Sequence, residues 1–244
     1  MDPAEFDAFA DEYRQEHAHN IRASGESPEF FHEYKVADVA KGLGPGVAGT
    51  CLSILDFGCG VGNSLPHFLH HFPRSEITGL DVSSKSLAIA RQRFPDAANL
   101  VQFKGEGPLP FPANSFDVTF AACVFHHIDV REHVRLLREL RRVLKPGGTS
   151  FVFEHNPYNP LTVRAVNTCA FDVNAVLIKP GHLTSMLEQA GLVAVRCQYR
   201  IFFPHALRRL RAIEPAPRNT PAGLGRNRTN ACCLSFNSMA ASAF

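Results

Sequence analysis

One stretch constrains this chain more than any other: Leu52 to Phe57 followed by Gly58-Cys59-Gly60-Val61-Gly62-Asn63. A short apolar run ends in three alternating glycines. Ser64 to Phe72 then continues as an amphipathic segment with Pro66 in its first turn, where a missing N–H costs little. The order is strand, tight turn, helix. Glycines in such a turn let the backbone approach a ligand with no Cβ in the way, and the helix start aims unpaired N–H groups at it. Alone, the pattern also fits a plain glycine-rich βα turn. Ile77-Thr78-Gly79-Leu80-Asp81 points further, because a second apolar run closes on a carboxylate about 20 residues downstream, where dinucleotide folds grip ribose hydroxyls. Against a dinucleotide, Asn63 stands where that fingerprint needs its last glycine.

A chain of 244 residues can bury one good core. Its longest apolar run, Val118 to Phe125, contains Thr119 and is far too short to span a bilayer. The start, Met1-Asp2-Pro3-Ala4-Glu5, is acidic and lacks an apolar signal core, so a cytoplasmic location is expected. The seven cysteines show no metal-type spacing and read as small core residues in a reducing compartment, and no metal ligand set is expected. Six arginines and one acid follow Leu207, which leaves the body slightly negative. A nucleic-acid enzyme carries its basic surface beside the site, so no nucleic-acid partner is expected.

Residues 1–50 read as two helices, one with Phe6, Phe9, Tyr13 and His17 at helical spacing and one beginning at Ser27-Pro28; they either pack for stability or form a lid that brings Tyr13, Tyr34 or Lys35 to the ligand. From 52 to 154, within a core domain of residues 51–214, strands and helices alternate, the pattern of a parallel sheet covered on both faces. A capping-box-like start at Asp129 and Glu132 opens a helix whose expected buried face is Val130, Val134, Leu137, Leu140 and Leu144. Lys145-Pro146-Gly147-Gly148 stops it before a fifth strand, and a later helix, His182 to Ala190, ends at Gly191. Residues 215–244 form an atypical tail in which only Ala231 to Phe236 has strand character.

Asp56-x-Gly58-x-Gly60-x-Gly62, Asp81, Gly105-Glu106, Ser115-Phe116-Asp117-Val118 and Leu144-Lys145-Pro146-Gly147-Gly148 together resemble the class I S-adenosylmethionine (SAM) dependent methyltransferases of the small-molecule group. The resemblance covers roughly residues 50–200 and implies a Rossmann-like, doubly wound, mostly parallel α/β sheet with SAM as cofactor. It implies that Gly58, Cys59, Gly60, Gly62 and Asn63 receive the methionine end, with Asp56 favouring its ammonium. It further implies that Asp81 and Val82 bind the ribose, Gly105 and Glu106 the adenine, and that Ala122 and Cys123 border the cofactor. The related enzymes pair their final strand in a hairpin.

Methyl transfer to a hydroxyl, such as one on a sugar or a lipid-linked precursor, needs a base. His126 and His127 follow the fourth strand, where open α/β sheets place ligands, and His127 is the preferred base. Tyr34, His155 and Tyr158 are candidates for the acceptor pocket. Asn156-Pro157-Tyr158 superficially resembles the proline-aromatic motif of amino-methylating nucleic-acid enzymes, but it has one proline and follows strand five rather than four. Two alternatives stand beside the enzyme: a SAM-binding module without turnover, and a nicotinamide-dependent dehydrogenase.

Overall fold

The computed structural model describes residues 25–169, 172, 174–200, 205, 209 and 231–237. The helix expected around Phe6 to His17 lies outside them, as does most of the tail. The remaining chain begins with α1 (Pro28–Leu43), capped by Ser27, whose hydroxyl accepts from the Phe30 N–H. Then come β1 (Ser53–Phe57), α2 (Leu65–His71), β2 (Glu76–Asp81), α3 (Ser84–Arg93), β3 (Asn99–Gln102) and β4 (Phe116–Ala122). α4 (Val130–Val143), β5 (Leu144–His155), α5 (Pro160–Thr168), α6 (Pro180–Gln189), β6 (Val193–Arg200) and β7 (Ala231–Asn237) complete it.

The seven strands lie in the order β3-β2-β1-β4-β5-β7-β6. Successive side chains along the central strands go to opposite faces, and both faces are buried. Ile54, Phe120, Phe151 and Phe153 pack beneath α1 and α2 with Val36, Val39, Leu65 and Phe68. Leu55, Ala121 and Val152 pack on the other side with Leu137 and Leu140 of α4 and Leu183 and Leu187 of α6. The described half of the N-terminal segment is therefore part of the core: a Cβ on Gly42 of α1 would lie 2.7 Å from the Phe151 ring.

Three local expectations change. α4 keeps most of the expected face inward, with Leu137 and Leu140 buried and Val134 packed against the core, but adds His133, Leu136 and Val143 to it and leaves Val130 52% exposed. Its capping box is half made: the Asp129 carboxylate accepts from the Arg131 N–H, while Glu132 pairs with Arg135 one turn on. The Lys145-to-Gly148 stretch does not separate helix from strand. β5 starts at Leu144 and absorbs the extra residues as a bulge, with Phe116 opposite Leu144 and Val118 opposite Thr149. The helix foreseen from His182 begins at Pro180, which occupies its first turn. It closes as expected at Gly191 (φ +85°), with the Leu192 N–H donating to the Leu187 carbonyl.

β7 inserts between β5 and β6 and runs parallel to both, whereas the resemblance implied a hairpin. Every registered pair is thus parallel. A parallel neighbour requires a crossover rather than a tight turn, and the sequence between Arg200 and Ala231 supplies the length for one.

Strand order reverses direction between β1 and β4, which makes the gap between their carboxyl ends the place where open α/β sheets bind ligands.

Candidate active site

The glycine turn leaves β1 with Gly58, Gly60 and Gly62 all at positive φ, between +52° and +80°. Two different physical needs are met there. A Cβ on Gly58 would come within 2.5 Å of Val124, the residue after the β4 turn, so Gly58 exists to let the two strand ends touch. A Cβ on Gly60 would meet nothing, and the space beside it is open. Asp81 holds the turn from β2: its two carboxylate oxygens accept from the Gly60 N–H (2.8 Å) and the Ser83 N–H (2.9 Å). Cys59 turns its thiol away from that space and against Gly79, where a Cβ would lie 2.8 Å from the sulfur. Burial pushes that thiol well up, so Cys59 offers the site its backbone only.

Asp56 is 2% exposed, and its Oδ2 has no hydrogen-bond partner. Burial, reinforced by Asp81 and opposed by Lys35, pushes its carboxyl up to about 8. An unpartnered carboxylate oxygen under a glycine turn is costly in the absence of a cation or donor, and an ammonium-bearing ligand supplies both. A cleft beside the turn is lined by Gly58, Asp81, Val82, Phe103, Gly105 and Val124, with the paired Glu132 and Arg135 of α4 on its far side. These residues fit SAM: orphaned carboxylate toward an ammonium, open glycine toward the chain, Asp81 toward hydroxyls, apolar walls toward a flat base.

Not every foreseen residue joins them. Glu106 is exposed and outside the cleft lining, whereas Arg135, which does line the cleft, binds the Gly105 and Gly107 carbonyls and fixes the loop. The Asn63 amide oxygen accepts from Arg93.

Across the gap, β4 ends in Ala122, half-buried, and Cys123, which adopts φ +59°, a conformation costly for any side chain but glycine. The Lys35 ammonium, brought in by α1, lies 3.5 Å from the Cys123 sulfur. Burial raises this thiol, but Lys35 and a hydrogen bond from His155 outweigh it and bring it down to about 6.

Phe125–His127 form a single helical turn clamped from two sides. His133 of α4 presents Nε2 to the Phe125 and Ile128 carbonyls, 2.9 Å from each. Glu154 of β5 accepts from the Val124 and Phe125 N–H groups through one oxygen and holds His126 Nδ1 at 2.7 Å through the other. Asp172 closes the cluster, its Oδ1 lying 3.6 Å from His126 Nε2 and 3.4 Å from His127 Nε2. Its segment is tied down by the Val176 N–H, which donates to the His126 carbonyl.

Burial opposes charge on His126, yet Glu154 and Asp172 override it and hold the ring protonated up to about 10. Burial and that neighbouring charge push His127 down to about 3. A ring so weakly basic makes a hydrogen-bond acceptor and a poor proton sink, so the preferred base of the sequence reading is chemically mismatched to neutral pH. The Cys123 thiolate is better matched.

Of the acceptor-pocket candidates, His155 joins the cluster, its ring 4.9 Å from that of His126. Tyr34 packs on Phe30 and Phe31 instead. Tyr158 is 62% exposed, because Asn156, fully buried, spends its side chain on the Tyr158 N–H and makes the Asn-Pro-Tyr run a structural turn. Sequence reasoning missed Glu154 and Asp172 as site residues and gave Lys35 only passing notice. A lone acid ending a strand, an acid in a connecting loop and a lysine on a helix carry no spacing signal.

A family profile described as a methyltransferase domain matches residues 55–152. The ubiquinone/menaquinone biosynthesis C-methyltransferase UbiE of Hahella chejuensis is 30% identical over 175 residues, covering 60% of this chain and 68% of that protein. The demethylmenaquinone methyltransferase of Thermotoga maritima is 40% identical over 107 residues, covering 43% of this chain and 44% of that one, so the chain spans less than half of this second relative. Among solved structures, the YcgJ protein of Bacillus subtilis superposes with a TM-score of 0.51 at 25% identity, covering 66% of this chain and 68% of that one.

Proposed function

Because this chain belongs to the class I SAM-dependent methyltransferases, we propose that it moves a methyl group from SAM to a hydroxyl-bearing small molecule held across the β1–β4 gap. The sulfonium supplies an activated methyl. The chain's own residues bind, orient and exclude water, which is most of what an in-line displacement requires. Asp56 receives the ammonium, the Gly58–Gly62 turn the methionine chain, and Asp81 the ribose hydroxyls, while Val82, Phe103 and Val124 flank the base. Ala122, Cys123, Lys35, His126, His127 and His155 border the acceptor. The Cys123 thiolate takes the hydroxyl proton, its charge steadied by Lys35, and His127 orients the hydroxyl as a neutral hydrogen-bond acceptor.

The observation that carries this reading is the unpartnered Asp56 oxygen, buried beneath a glycine whose missing Cβ opens on empty space. Transfer to carbon is the second reading, favoured by the C-methyltransferase name of the Hahella chejuensis relative; it begins with the same deprotonation when the acceptor is a phenol or an enol. Calorimetric titration with SAM, S-adenosylhomocysteine and NADH tests the cofactor, with one-to-one binding of the first two and none of the third expected. NADH binding without SAM binding overturns the reading. Tritium transfer from methyl-labelled SAM to phenolic, sugar and lipid-linked hydroxyl acceptors separates an enzyme from a binding module.

A further inference from the structure

We propose that His126, His127 and Asp172 form a binding site for a divalent first-row transition-metal cation, with Glu154 as the residue that orients it. Nitrogen or oxygen donors of all three lie within 4.8 Å of one another, converging from the turn after β4 and from the segment after α5. The two approaches to Asp172 Oδ1, 3.4 and 3.6 Å, are wider than charge-assisted hydrogen bonds of about 2.7–2.9 Å. They match the roughly 3.4 Å edge of a tetrahedron whose ligands lie about 2.0–2.1 Å from its centre. His126 has the arrangement of a metal-bound imidazole: Nδ1 is held by a buried carboxylate at 2.7 Å, so ring orientation and tautomer are set and Nε2 faces Asp172.

The backbone around the turn is secured independently of any ion, by His133 on two carbonyls and by Glu154 on two N–H groups. Such bracing is what a preorganised donor set requires. Charge agrees with geometry. Metal binding displaces the Nε2 proton of His126 to solvent, and the divalent cation then neutralises Glu154 and Asp172 in place of the imidazolium. The donor set selects the class of ion. Two imidazoles and one carboxylate suit zinc, iron(II), cobalt(II) or nickel(II), whereas magnesium and calcium require oxygen donors. Three protein ligands leave at least one position open, and His127 and Asp172, 14% and 12% exposed in their side chains, form the accessible side. Where the transferase reading also holds, the open position takes the acceptor's hydroxyl oxygen and replaces the hydrogen bond to His127 in the metal-loaded protein; the site itself does not depend on that reading.

The test is cobalt(II) titration of the full chain after chelator treatment and without SAM, followed by visible absorption, with X-ray absorption on the zinc-loaded wild type. One cobalt per chain is expected, with two imidazoles and light-atom donors in the first shell and no thiolate-to-cobalt band. Asp172→Asn and His127→Gln should each weaken binding by at least about tenfold. The wild-type spectra carry the test even if a variant misfolds. Absence of a stoichiometric site, a thiolate signature, or binding indifferent to both substitutions overturns the proposal. SAM calorimetry on the same metal-free sample reports separately on the cofactor site, so the two can fail independently.

Discussion

The carboxyl ends of β1 and β4 lie side by side, close enough that Gly58 and Val124 leave no room for a methyl group between them, yet they are built on opposite plans. At the β1 end the backbone shapes the site. Its three glycines stand at positive φ, Asp81 braces the turn, and the buried ionisable group, Asp56, retains an oxygen with no partner. At the β4 end side chains engage one another: Glu154 holds His126, His126 faces Asp172, and Lys35 pairs with Cys123. One end keeps its electrostatic need unmet until a ligand arrives. The other has met its own, and its charges position what enters. Lys35 links the two, since its ammonium steadies the Cys123 thiolate and also opposes the rise of Asp56.

The sharpest challenge to this contrast is removal of the β4 hub. Glu154→Ala leaves the His126 imidazolium and the Val124 and Phe125 N–H groups without their acceptor. It should cost about 3–5 kcal/mol in urea unfolding, as breaking a buried pair does; a loss below about 1 kcal/mol would mean the cluster is not self-satisfied.

Next come the paired glycines. Gly58→Ala meets Val124 at 2.5 Å in a left-handed conformation and should destabilise by about 2–4 kcal/mol. Gly60→Ala pays the backbone penalty alone, about 1–2 kcal/mol, while SAM affinity measured by calorimetry falls at least tenfold or so because its methyl enters the ligand's space. Equal stability losses would erase the distinction between a packing glycine and a binding glycine.

Asp56→Asn tests the unmet need directly. With its folded pKa near 8 against 3.8 as the ordinary value, the unfolded chain releases this proton first. The stability Asp56 contributes is thus complete below about pH 4 and drains away as pH rises toward 8. The ligand-free variant should therefore overtake the wild type across that window, by about 1–3 kcal/mol at its upper end, while losing most of its affinity for SAM. A variant less stable than wild type at pH 8 would show that Asp56 already has its cation.

The smallest effect concerns the link. Alkylation of Cys123 by iodoacetamide should follow a midpoint near 6, and Lys35→Met should raise it by about one unit or more. An unchanged midpoint would detach α1 from the site.

The β1 end was legible in one dimension because its requirements are local. A positive φ needs glycine, a strand must end before a turn, and an acid closing the next strand reaches back over it, so Asp56, Gly58, Gly60, Gly62 and Asp81 announce themselves by spacing. The same reasoning located α1 from Ser27-Pro28, the α6 terminus from Gly191, and β7 from a lone apolar stretch. It missed where tertiary contact overrides local preference. α4 buries His133 beside the foreseen Leu137 and Leu140, and that ring holds the turn after β4, while Tyr34 packs on aromatics and Lys35, one position along the same helix, reaches Cys123.

What the sequence determined by itself is the sheet's alternation and the backbone cradle at the end of β1, since both follow from the φ, ψ and burial preferences of neighbouring residues. Tertiary structure alone decided the company of His126. Its partners, Glu154 and Asp172, lie far along the chain, and electrostatic fields depend on distance through space. No order of residues states that a histidine will stand between two carboxylates until the sheet has brought them together.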